Sequence, residues 1–386
     1  MTDARPLDGV RVVEFGHVAA GPFAALLLAD LGADVVKIES PTGDQMRAWP
    51  PIAEAGGERF SHNFAAVNRN KRSVVADLKE PDDLARVRDL CLAADVLVEN
   101  YRPGVLARLG LGYDELAAEH RGLVYASVSG FGQTGEYAGL GAYDVVIQAM
   151  SGLISVTGTD DGDLVKAGVP VADFTSGLYA ALGVVAWLPQ VRASGRSVHL
   201  DVPMLDCLLA TSALQTSEYW GSGVEPVPLG TRHPRNAPYQ VFPAADAPFV
   251  LAAGNDRLWH GVCAVVGRPE LADDPRFVTQ GARVTHQLEL EKLLTEAFAE
   301  RTATEWVALL RAAGVPAGPV NRFGDILADP AVHESGLVRP YDVPVAGPSW
   351  TTVFPVRATG TEPRLDRSAP RLGEQTEQVL AEWGAR

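Results

Sequence analysis

The chain has 386 residues, 47% of them hydrophobic and 21% charged, a composition that excludes an intrinsically disordered protein, a collagen and a small disulfide scaffold. Its 33 basic and 48 acidic residues give a formal net charge of -15, so its electrostatic field repels polyanions and we expect no nucleic-acid partner. The three cysteines, Cys91, Cys207 and Cys263, lie far apart in apolar runs without metal-ligand spacing, which indicates buried, reduced thiols in a cytoplasmic protein.

The first predicted elements form a β-α-β unit. A β-branched run over 10–15 predicts a strand, Gly21-Pro22 opens a helical pattern that closes at Gly32, and a second strand follows at 35–38. The alternation of strands and helices continues at 73–78, 81–93, 96–99, 113–120 and 123–128. This order predicts an α/β fold with an open, parallel, Rossmann-like sheet.

Two longer helices are predicted next, at 143–153 and 174–191, followed by a strand at 197–202. The second helix holds the longest apolar run, Leu178 to Leu188, which is shorter than the roughly 20 residues that cross a bilayer. We interpret it as a buried core helix. Because the N-terminus also lacks a basic stretch followed by an apolar one, we expect neither a membrane span nor a secretory signal.

The composition changes near residue 221, where prolines, glycines, arginines and aromatic residues accumulate and predict a crossing between domains. Beyond it, a strand at 249–253 and three helical patterns between 258 and 313 predict a smaller α/β domain, and a helix at 374–383 closes the chain. The predicted bounds are a large α/β domain at 1–220, a linker at 221–248, a small α/β domain at 249–332 and a return to the large domain at 333–386.

The run from Gly130 through Gly132 and Gln133 to Gly135 has the spacing of a dinucleotide fingerprint and follows a strand. In that fingerprint the third glycine opens a helix whose N-terminus holds a pyrophosphate. Here the next helical pattern begins only near Tyr143, and the run follows a late strand instead of the first. The sequence therefore disfavours nicotinamide or flavin binding at this loop.

Candidate ligand groups follow the predicted strands. His17 lies in a turn of small residues after the first strand, where parallel sheets bind ligands, and it either contacts a phosphate or ribose or caps the turn. Four cations at strand boundaries either converge near His17 as an anion site or are solvated loop charges; they are Lys71, Arg72, Arg102 and Arg108.

Asp173 lies immediately before an apolar helix. One interpretation is a structural N-cap, which is the favoured use of aspartate at such a place. The other is a nucleophile that the helix dipole keeps ionised and that, with a pKa near 3.9, needs no base at neutral pH. The sequence offers neither a convincing Ser-His-Asp order nor a GxSxG motif as an alternative nucleophile.

Eight runs together resemble the family III CoA-transferases, the CaiB/BaiF group that includes formyl-CoA transferases and α-methylacyl-CoA racemases. They span nearly the whole chain and lie at 7–14, 31–39, 68–73, 98–104, 129–135, 233–239, 274–277 and 313–320. The resemblance implies coenzyme A as co-substrate and an interlocked, ring-like homodimer whose active sites lie between the large domain of one subunit and the small domain of the other. From the sequence itself we expect no metal.

The resemblance also implies the reaction and its residues. CoA would pass from an acyl-CoA donor to a carboxylic acid acceptor through anhydride and thioester intermediates on Asp173, with Tyr143 beside it. The implied CoA contacts are His17, Val18, Ala19, Lys71, Asn100, Tyr101 and Arg108. Backbone N–H groups of the glycine-rich loop are candidates for stabilising the developing oxyanions; they belong to Gly130, Gly132 and Gln133.

Two other functions remain open. A racemase would use Asp173 in α-proton transfer, but it is expected to carry histidine where this chain has Tyr143, and a phenol with a pKa near 10 is a poor base at neutral pH. A catalytically silent CoA-binding protein would form no adduct on Asp173. The chain also lacks the glycine-rich flap of formyl-CoA transferases after Pro243, which favours an acid larger or less polar than oxalate. It has Ser40 where those enzymes commonly carry arginine, so one of their contacts to the adenine side of CoA is not expected here.

Overall fold

The computed structural model describes residues 5–384. Within them the chain divides into two compact units. The first comprises the residues up to Ile154, the segment Lys166–Val224 and the residues from Pro330 onward, and the second comprises Ser155–Val165 and Glu225–Asp329. The excursion Ser155–Val165 has no counterpart in the predicted domain bounds, and the predicted linker at 221–248 contains a strand of the second unit.

Thirteen strands lie within residues 5–384. In chain order they are β1 (Arg11–Phe15), β2 (Asp34–Glu39), β3 (Ile52–Ala55), β4 (Glu58–Ser61), β5 (Lys71–Val75), β6 (Val96–Glu99), β7 (Val124–Ser129), β8 (Val198–Pro203), β9 (Tyr239–Pro243), β10 (Pro248–Ala252), β11 (Ala317–Pro319), β12 (Val338–Val343) and β13 (Gly347–Thr352).

Sixteen α-helices lie in the same described part of the chain. They are α1 (Ala20–Asp30), α2 (His62–Asn68), α3 (Pro81–Leu92), α4 (Val105–Arg108), α5 (Tyr113–Glu119), α6 (Asp144–Met150), α7 (Val171–Ser194), α8 (Met204–Thr211), α9 (Ala213–Ser222), α10 (Asp256–Val265), α11 (Gln280–Thr285), α12 (Gln287–Phe298), α13 (Ala303–Ala312), α14 (Phe323–Ala328), α15 (Pro330–Glu334) and α16 (Thr376–Trp383).

Six of the described strands form the parallel sheet of the first unit, in the order β5-β2-β1-β6-β7-β8. The inner strands are short, mainly apolar and buried on both faces, as parallel strands covered by helices must be. Val13 of β1, for example, lies beside Val36 of β2 and Leu97 of β6. The predicted parallel sheet is confirmed. Because the strand order reverses between β1 and β6, the crevice for a ligand lies at the carboxyl ends of these two strands.

Helices cover both faces of the sheet because successive strand residues point to opposite sides. On one face Val12 packs with Ala24 of α1 and Val184 of α7. On the other face Val13 packs with Leu90 of α3, and Trp383 of α16 joins the same cluster. The helix at the end of the chain thus completes the core of the first unit.

Helix α7 differs from the buried core helix that the sequence predicts. Ala180 and Val184 are buried, whereas Leu178 and Leu182 are 53% and 62% exposed. The prediction failed because a helix that is apolar all round carries no periodicity that marks its buried side. Among the described helices, α7 alone is long and apolar enough to cross a membrane by length and composition, a test that core helices of soluble proteins also pass.

The second unit has its own antiparallel sheet, in the order β11-β10-β9. Phe242 and Phe249 of this sheet pack with Trp306 of α13 in a separate apolar core. Cys263 is buried in that core, and Cys91 and Cys207 are buried in the first unit. The three free thiols therefore lie in apolar surroundings, as the sequence predicts.

Candidate active site

A cavity of about 310 Å³ lies at the carboxyl ends of β1, β6 and β7, where the strand order of the sheet reverses. Its wall contains eight of the site residues that the sequence predicts, which come from five separate segments of the first unit. They are His17, Val18, Ala19, Asn100, Tyr101, Gly130, Tyr143 and Asp173. Four predicted residues do not line it: Lys71, Arg108, Gly132 and Gln133.

The loop after β1 is held from one side by Asn100. The Asn100 carboxamide accepts from the His17 backbone N–H at 2.8 Å and donates to the His17 carbonyl at 2.9 Å. The His17 Nε2 lies 3.1 Å from the Tyr101 hydroxyl. Burial, and then the nearby Lys37, lower the pKa of His17. His17 therefore faces the cavity as a neutral hydrogen-bonding group at pH 7.

The same loop is held from its other side by Asp44. Val18 has a φ of +62°, a region that costs a β-branched residue on the order of 1–3 kcal/mol. Both carboxylate oxygens of Asp44 lie 3.2 Å from the Val18 backbone nitrogen. Sequence reasoning missed Asp44, since nothing in its local pattern shows that it reaches the loop after β1.

Asp173 is the third residue of α7, and the cap position is Pro170. The interpretation of Asp173 as an N-cap is therefore wrong. Its carboxylate has no hydrogen bond to another described residue, and the N–H of the preceding Ala172 donates instead to Asp144 at 2.8 Å. Burial and the neighbouring Asp144 raise the pKa of Asp173 to about 7. The predicted low pKa is also wrong, because desolvation and a like charge outweigh the helix dipole.

Asp144 is a further residue of this site that sequence reasoning missed. It begins α6, and its second oxygen accepts from the Gln148 side chain at 2.5 Å. Gln148 in turn accepts from the Ala167 backbone N–H at 2.9 Å. Asp144 is thus held in place as the acceptor that caps α7. Its carboxylate has donors of its own, whereas the Asp173 carboxylate has none among the described residues.

Tyr143 caps α6 and is 75% exposed. It belongs to the cavity wall together with Leu140 and Ala142 of the loop before it. The phenol is thus open to solvent, and it lies at the mouth of the cavity.

The glycine-rich loop contributes one of its three predicted residues to the wall. At Gly130 a Cβ would lie 2.2 Å from the Ala142 Cβ, so only glycine fits. The Gly132 N–H donates to the Ser129 hydroxyl at 3.0 Å, and the Gln133 N–H donates to Asp201 at 2.9 Å. These two N–H groups are already occupied and do not point to an oxyanion in this structure. The loop opens no helix, since α6 begins only at Asp144.

The cations predicted at strand boundaries do not converge on the cavity. Lys71 begins β5, and residues that begin a parallel strand lie at the opposite edge of the sheet from the carboxyl ends. Its buried ammonium group lies 2.7 Å from Glu14 and donates to the Pro22 carbonyl at 2.8 Å and to Asn68 at 2.9 Å, so it is engaged inside the protein and is not part of the cavity wall. Burial lowers the pKa of Lys71 to about 8.

The arginines among these cations occupy three different surroundings. Arg72 is buried in ion pairs with Asp34 and Glu382, so it is neither an anion site nor a solvated loop charge. Arg108 is exposed and outside the wall. Arg102, which the predicted CoA contacts omit, does line the cavity. Among the described wall residues it is the one permanently cationic side chain.

The described residues contain no group of three or more His, Cys, Asp or Glu side chains that could hold a metal ion. Within that part of the chain the cavity offers one carboxyl group without hydrogen-bond partners, a neutral imidazole, two phenols and one guanidinium group. Such a set can supply an oxygen nucleophile or a proton donor, depending on the ionisation of Asp173.

Comparison with known proteins identifies relatives over nearly the full chain. A model of the family described as CoA-transferase family III matches residues 7–376. The chain is 42% identical over 385 residues to the succinate–glutarate CoA-transferase of Agrobacterium fabrum, covering 98% of this chain and 95% of that one. It is 38% identical to the acetyl-CoA:oxalate CoA-transferase of Acetobacter aceti, covering 98% and 96% of the two chains.

A solved structure of a CAIB/BAIF family protein from Brucella suis is similar to this chain with a TM-score of 0.88 and 38% sequence identity. The match covers 98% of this chain and 99% of that one. Fold and sequence therefore point to the same group of relatives.

Proposed function

The chain belongs to CoA-transferase family III, and from that premise we propose that it moves CoA from an acyl-CoA thioester to a free carboxylic acid through covalent intermediates on Asp173. The proposal depends mainly on one structural observation. The Asp173 carboxyl group lies in the wall of the cavity at the reversal point of the sheet and has no hydrogen-bond partner among the described residues. A carboxyl group without partners is available to a substrate carbonyl.

The proposed reaction begins with attack of an Asp173 oxygen on the thioester carbonyl. The C–S bond breaks, CoA leaves as a thiolate, and a mixed anhydride remains on the enzyme. The thiolate then attacks the aspartyl carbonyl, which releases the donor acid and leaves an aspartyl-CoA thioester. The acceptor carboxylate repeats the two steps in reverse order, so one thioester replaces another and no ATP is consumed.

The raised pKa of Asp173 suits this chemistry. A thiol has a pKa near 8.5 and an ordinary aspartate one near 3.9, so transfer of an acyl group from the thiolate to the carboxylate is uphill. A carboxylate with a pKa of about 7 is more basic, which narrows that difference. Binding of the remote nucleotide of CoA holds the thiolate nearby and offsets what remains.

We propose dicarboxylic acids as the acceptors. The support is the 42% identity to a succinate–glutarate CoA-transferase and the 38% identity to an acetyl-CoA:oxalate CoA-transferase. The guanidinium group of Arg102 in the cavity wall supports an anionic substrate or cofactor group there. To rank the acceptors, oxalate, succinate and glutarate are each incubated with succinyl-CoA or acetyl-CoA. Chromatography then measures the CoA esters that form.

We further propose that the active protein is an interlocked homodimer. The proposal rests on the family resemblance, and an apolar face of α7 supports it: Leu178 and Leu182, one helical turn apart, are 53% and 62% exposed. Soluble monomers rarely leave such apolar surface uncovered. Light scattering during size-exclusion chromatography tests it, and a monomeric species with full activity contradicts it.

The decisive experiment traps the covalent intermediate. After incubation with succinyl-CoA and hydroxylamine, peptide mass spectrometry is expected to find an aspartyl hydroxamate at Asp173, and none in the variant Asp173→Ala. An unmodified wild-type protein that binds CoA would instead support a silent CoA-binding protein. Deuterium uptake at C2 of a 2-methylacyl-CoA, without CoA exchange between acids, would support the racemase.

A further inference from the structure

A buried ion network lies directly behind the loop after β1. The Lys37 ammonium group is 2.8 Å from Glu14 and 3.0 Å from Asp44, and all three side chains are closed off from solvent. Although burial alone lowers the pKa of a lysine, Glu14 and Asp44 raise that of Lys37. Lys37 also donates to the carbonyl of Gly16, the residue that starts the loop. The network is therefore charged and bonded to the loop.

Asp44 is the point where this network meets the cavity. Its carboxylate accepts from the Val18 N–H and from the Met46 N–H at 2.9 Å, while its own backbone N–H donates to Glu39 at 3.0 Å. The wall of the cavity includes the next residue, Gln45, but not Asp44. The Asp44 carboxylate thus lies behind the wall, where the Val18 N–H, the Met46 N–H and the Lys37 ammonium group hold it.

Val18 explains why the loop needs such a partner. Its φ of +62° is one that a β-branched residue adopts only when its surroundings impose it. Val18 is partly exposed and packs against the apolar cluster that contains Met46 and Phe64, and hydrogen bonds add to that packing. Asn100 holds the preceding residue, and Asp44 holds the Val18 N–H itself. Removal of the carboxylate leaves Val18 free to relax to negative φ, which turns the loop away from its present shape.

We propose that Asp44 is a positioning residue that keeps the loop His17–Ala19 in the shape that binds the CoA moiety, and that Lys37 holds Asp44 in that role. The inference rests on the proposed function together with the CoA contacts that the family resemblance implies for this loop. It differs from that function in predicting a binding defect without a defect in chemistry, because Asp44 shares no contact with Asp173 among the described residues.

The test compares two substitutions of buried aspartates. In Asp44→Asn the loop loses its charged acceptor. In the control Asp30→Asn, an equally buried carboxylate loses its pairing with Arg69 and Asn70, which lies at the end of α1 away from the cavity wall. Both variants are expected to unfold at lower urea concentration. Only Asp44→Asn is expected to weaken binding of coenzyme A, measured by calorimetry, by on the order of tenfold, or about 1.4 kcal/mol.

Kinetics separate positioning from catalysis. In Asp44→Asn the KM for succinyl-CoA is expected to rise by the same factor, while kcat stays within about threefold. The variant Asp44→Glu keeps the buried charge beside Lys37 but displaces the carboxylate by one methylene, and an intermediate loss of affinity is expected from it. It serves as the second variant if Asp44→Asn does not fold.

The outcomes distinguish this inference from the function on which it rests. Wild-type affinity for CoA in the folded Asp44 variants overturns the inference alone, as does an equal loss in Asp30→Asn. A loss of kcat without a change of KM also overturns it, because Asp44 would then act on the chemistry. Absence of CoA binding by the wild-type protein overturns the proposed function and this inference together.

Discussion

Two aspartates at the same end of the sheet lie in opposite electrostatic surroundings. Asp44 lies behind the loop after β1, where, although burial opposes its charge, Lys37 and backbone N–H donors lower its pKa. Asp173 lies at the start of α7, where burial and the like charge of Asp144 raise its pKa to about 7. One carboxylate is surrounded by partners, and the other has none among the described residues.

The difference distinguishes the residues that fix the geometry of the site from the residue that reacts in it. Behind the loop every buried charge has a partner, so the network stabilises one geometry. At the start of α7 two carboxylates lie together without a described cation, an arrangement that costs folding free energy and is typical of catalytic groups. The comparison predicts that substitutions in the first region damage stability and CoA binding, whereas substitutions in the second damage turnover.

The largest effect is expected from Asp173→Asn on CoA transfer. The amide cannot form the anhydride, so turnover between succinyl-CoA and glutarate is expected to fall by at least about 10⁴-fold, the scale seen when a nucleophile is removed. The matched control is Asp83→Asn, which alters the third residue of α3, the same helix position, where the carboxylate accepts from the Asp77 N–H. Full activity of Asp173→Asn would contradict the mechanism, and inactivity of the control would make the comparison uninformative about the nucleophile.

The next largest effect is expected from Lys37→Met on stability. Removal of this buried cation leaves Asp44 without its lysine partner and Glu14 with Lys71 alone, and loss of one partner from a buried ion pair typically costs about 3–5 kcal/mol. Urea denaturation followed by circular dichroism measures the change in the free energy of unfolding. A change below about 1 kcal/mol would mean that water or rearrangement compensates the two carboxylates, and the contrast between the regions would disappear.

The sequence predicts the order of strands and helices in the sheet well, because β1, β2, β6 and β7 are short apolar runs between turn signals. It places β5 too late, at residue 73, because Lys71 and Arg72 look like loop charges and their buried partners lie far away in the chain. The hairpin β12–β13 is not predicted, because Pro340 and Asp342 interrupt the apolar residues of β12 and no residue of β13 is buried.

Much of the cavity wall was predictable from the sequence, but the electrostatics of the site were not. The family resemblance and the strand ends bring His17, Asn100 and Asp173 to one cavity. The pKa of Asp173 depends on Asp144, which begins another helix, and no local pattern reports that the two carboxylates meet. The role of Asp44 is hidden for the same reason, because its contact with Val18 exists only after the chain has folded.

A smaller effect is expected from Asp173→Asn on stability, and its size depends on pH. The folded-state pKa of about 7 lies above the value near 3.9 in the unfolded chain, so ionisation of Asp173 opposes folding above pH 7 and has no effect below about pH 4. Asparagine does not titrate. Solvent at the cavity mouth screens part of this penalty. The free energy of unfolding of the variant is therefore expected to exceed that of the wild type by about 1–3 kcal/mol at pH 8, and not to exceed it at pH 4. An equal change at both pH values would show that Asp173 is not destabilised by its charge.

The smallest effect is expected from Asp144→Asn on the pH dependence of catalysis. The ionised form of Asp173 is the nucleophile, so kcat/KM of the wild-type enzyme is expected to rise with pH around an apparent pKa near 7. Loss of the like charge of Asp144 lowers that pKa, by less than about one unit because burial, the larger cause, remains. The variant is therefore expected to retain a larger share of its plateau activity at pH 6 than the wild type.

The control for this prediction is Gln148→Met, which removes the hydrogen bond to Asp144 and keeps its charge. If Asp144 acts on Asp173 through charge, the control shows no fall in the apparent pKa, whatever it does to the plateau. A fall of equal size in both variants would mean that the position of α6, and not the carboxylate, sets the ionisation of Asp173. In that case the two regions would differ in packing, and the electrostatic contrast between Asp44 and Asp173 would no longer explain their roles.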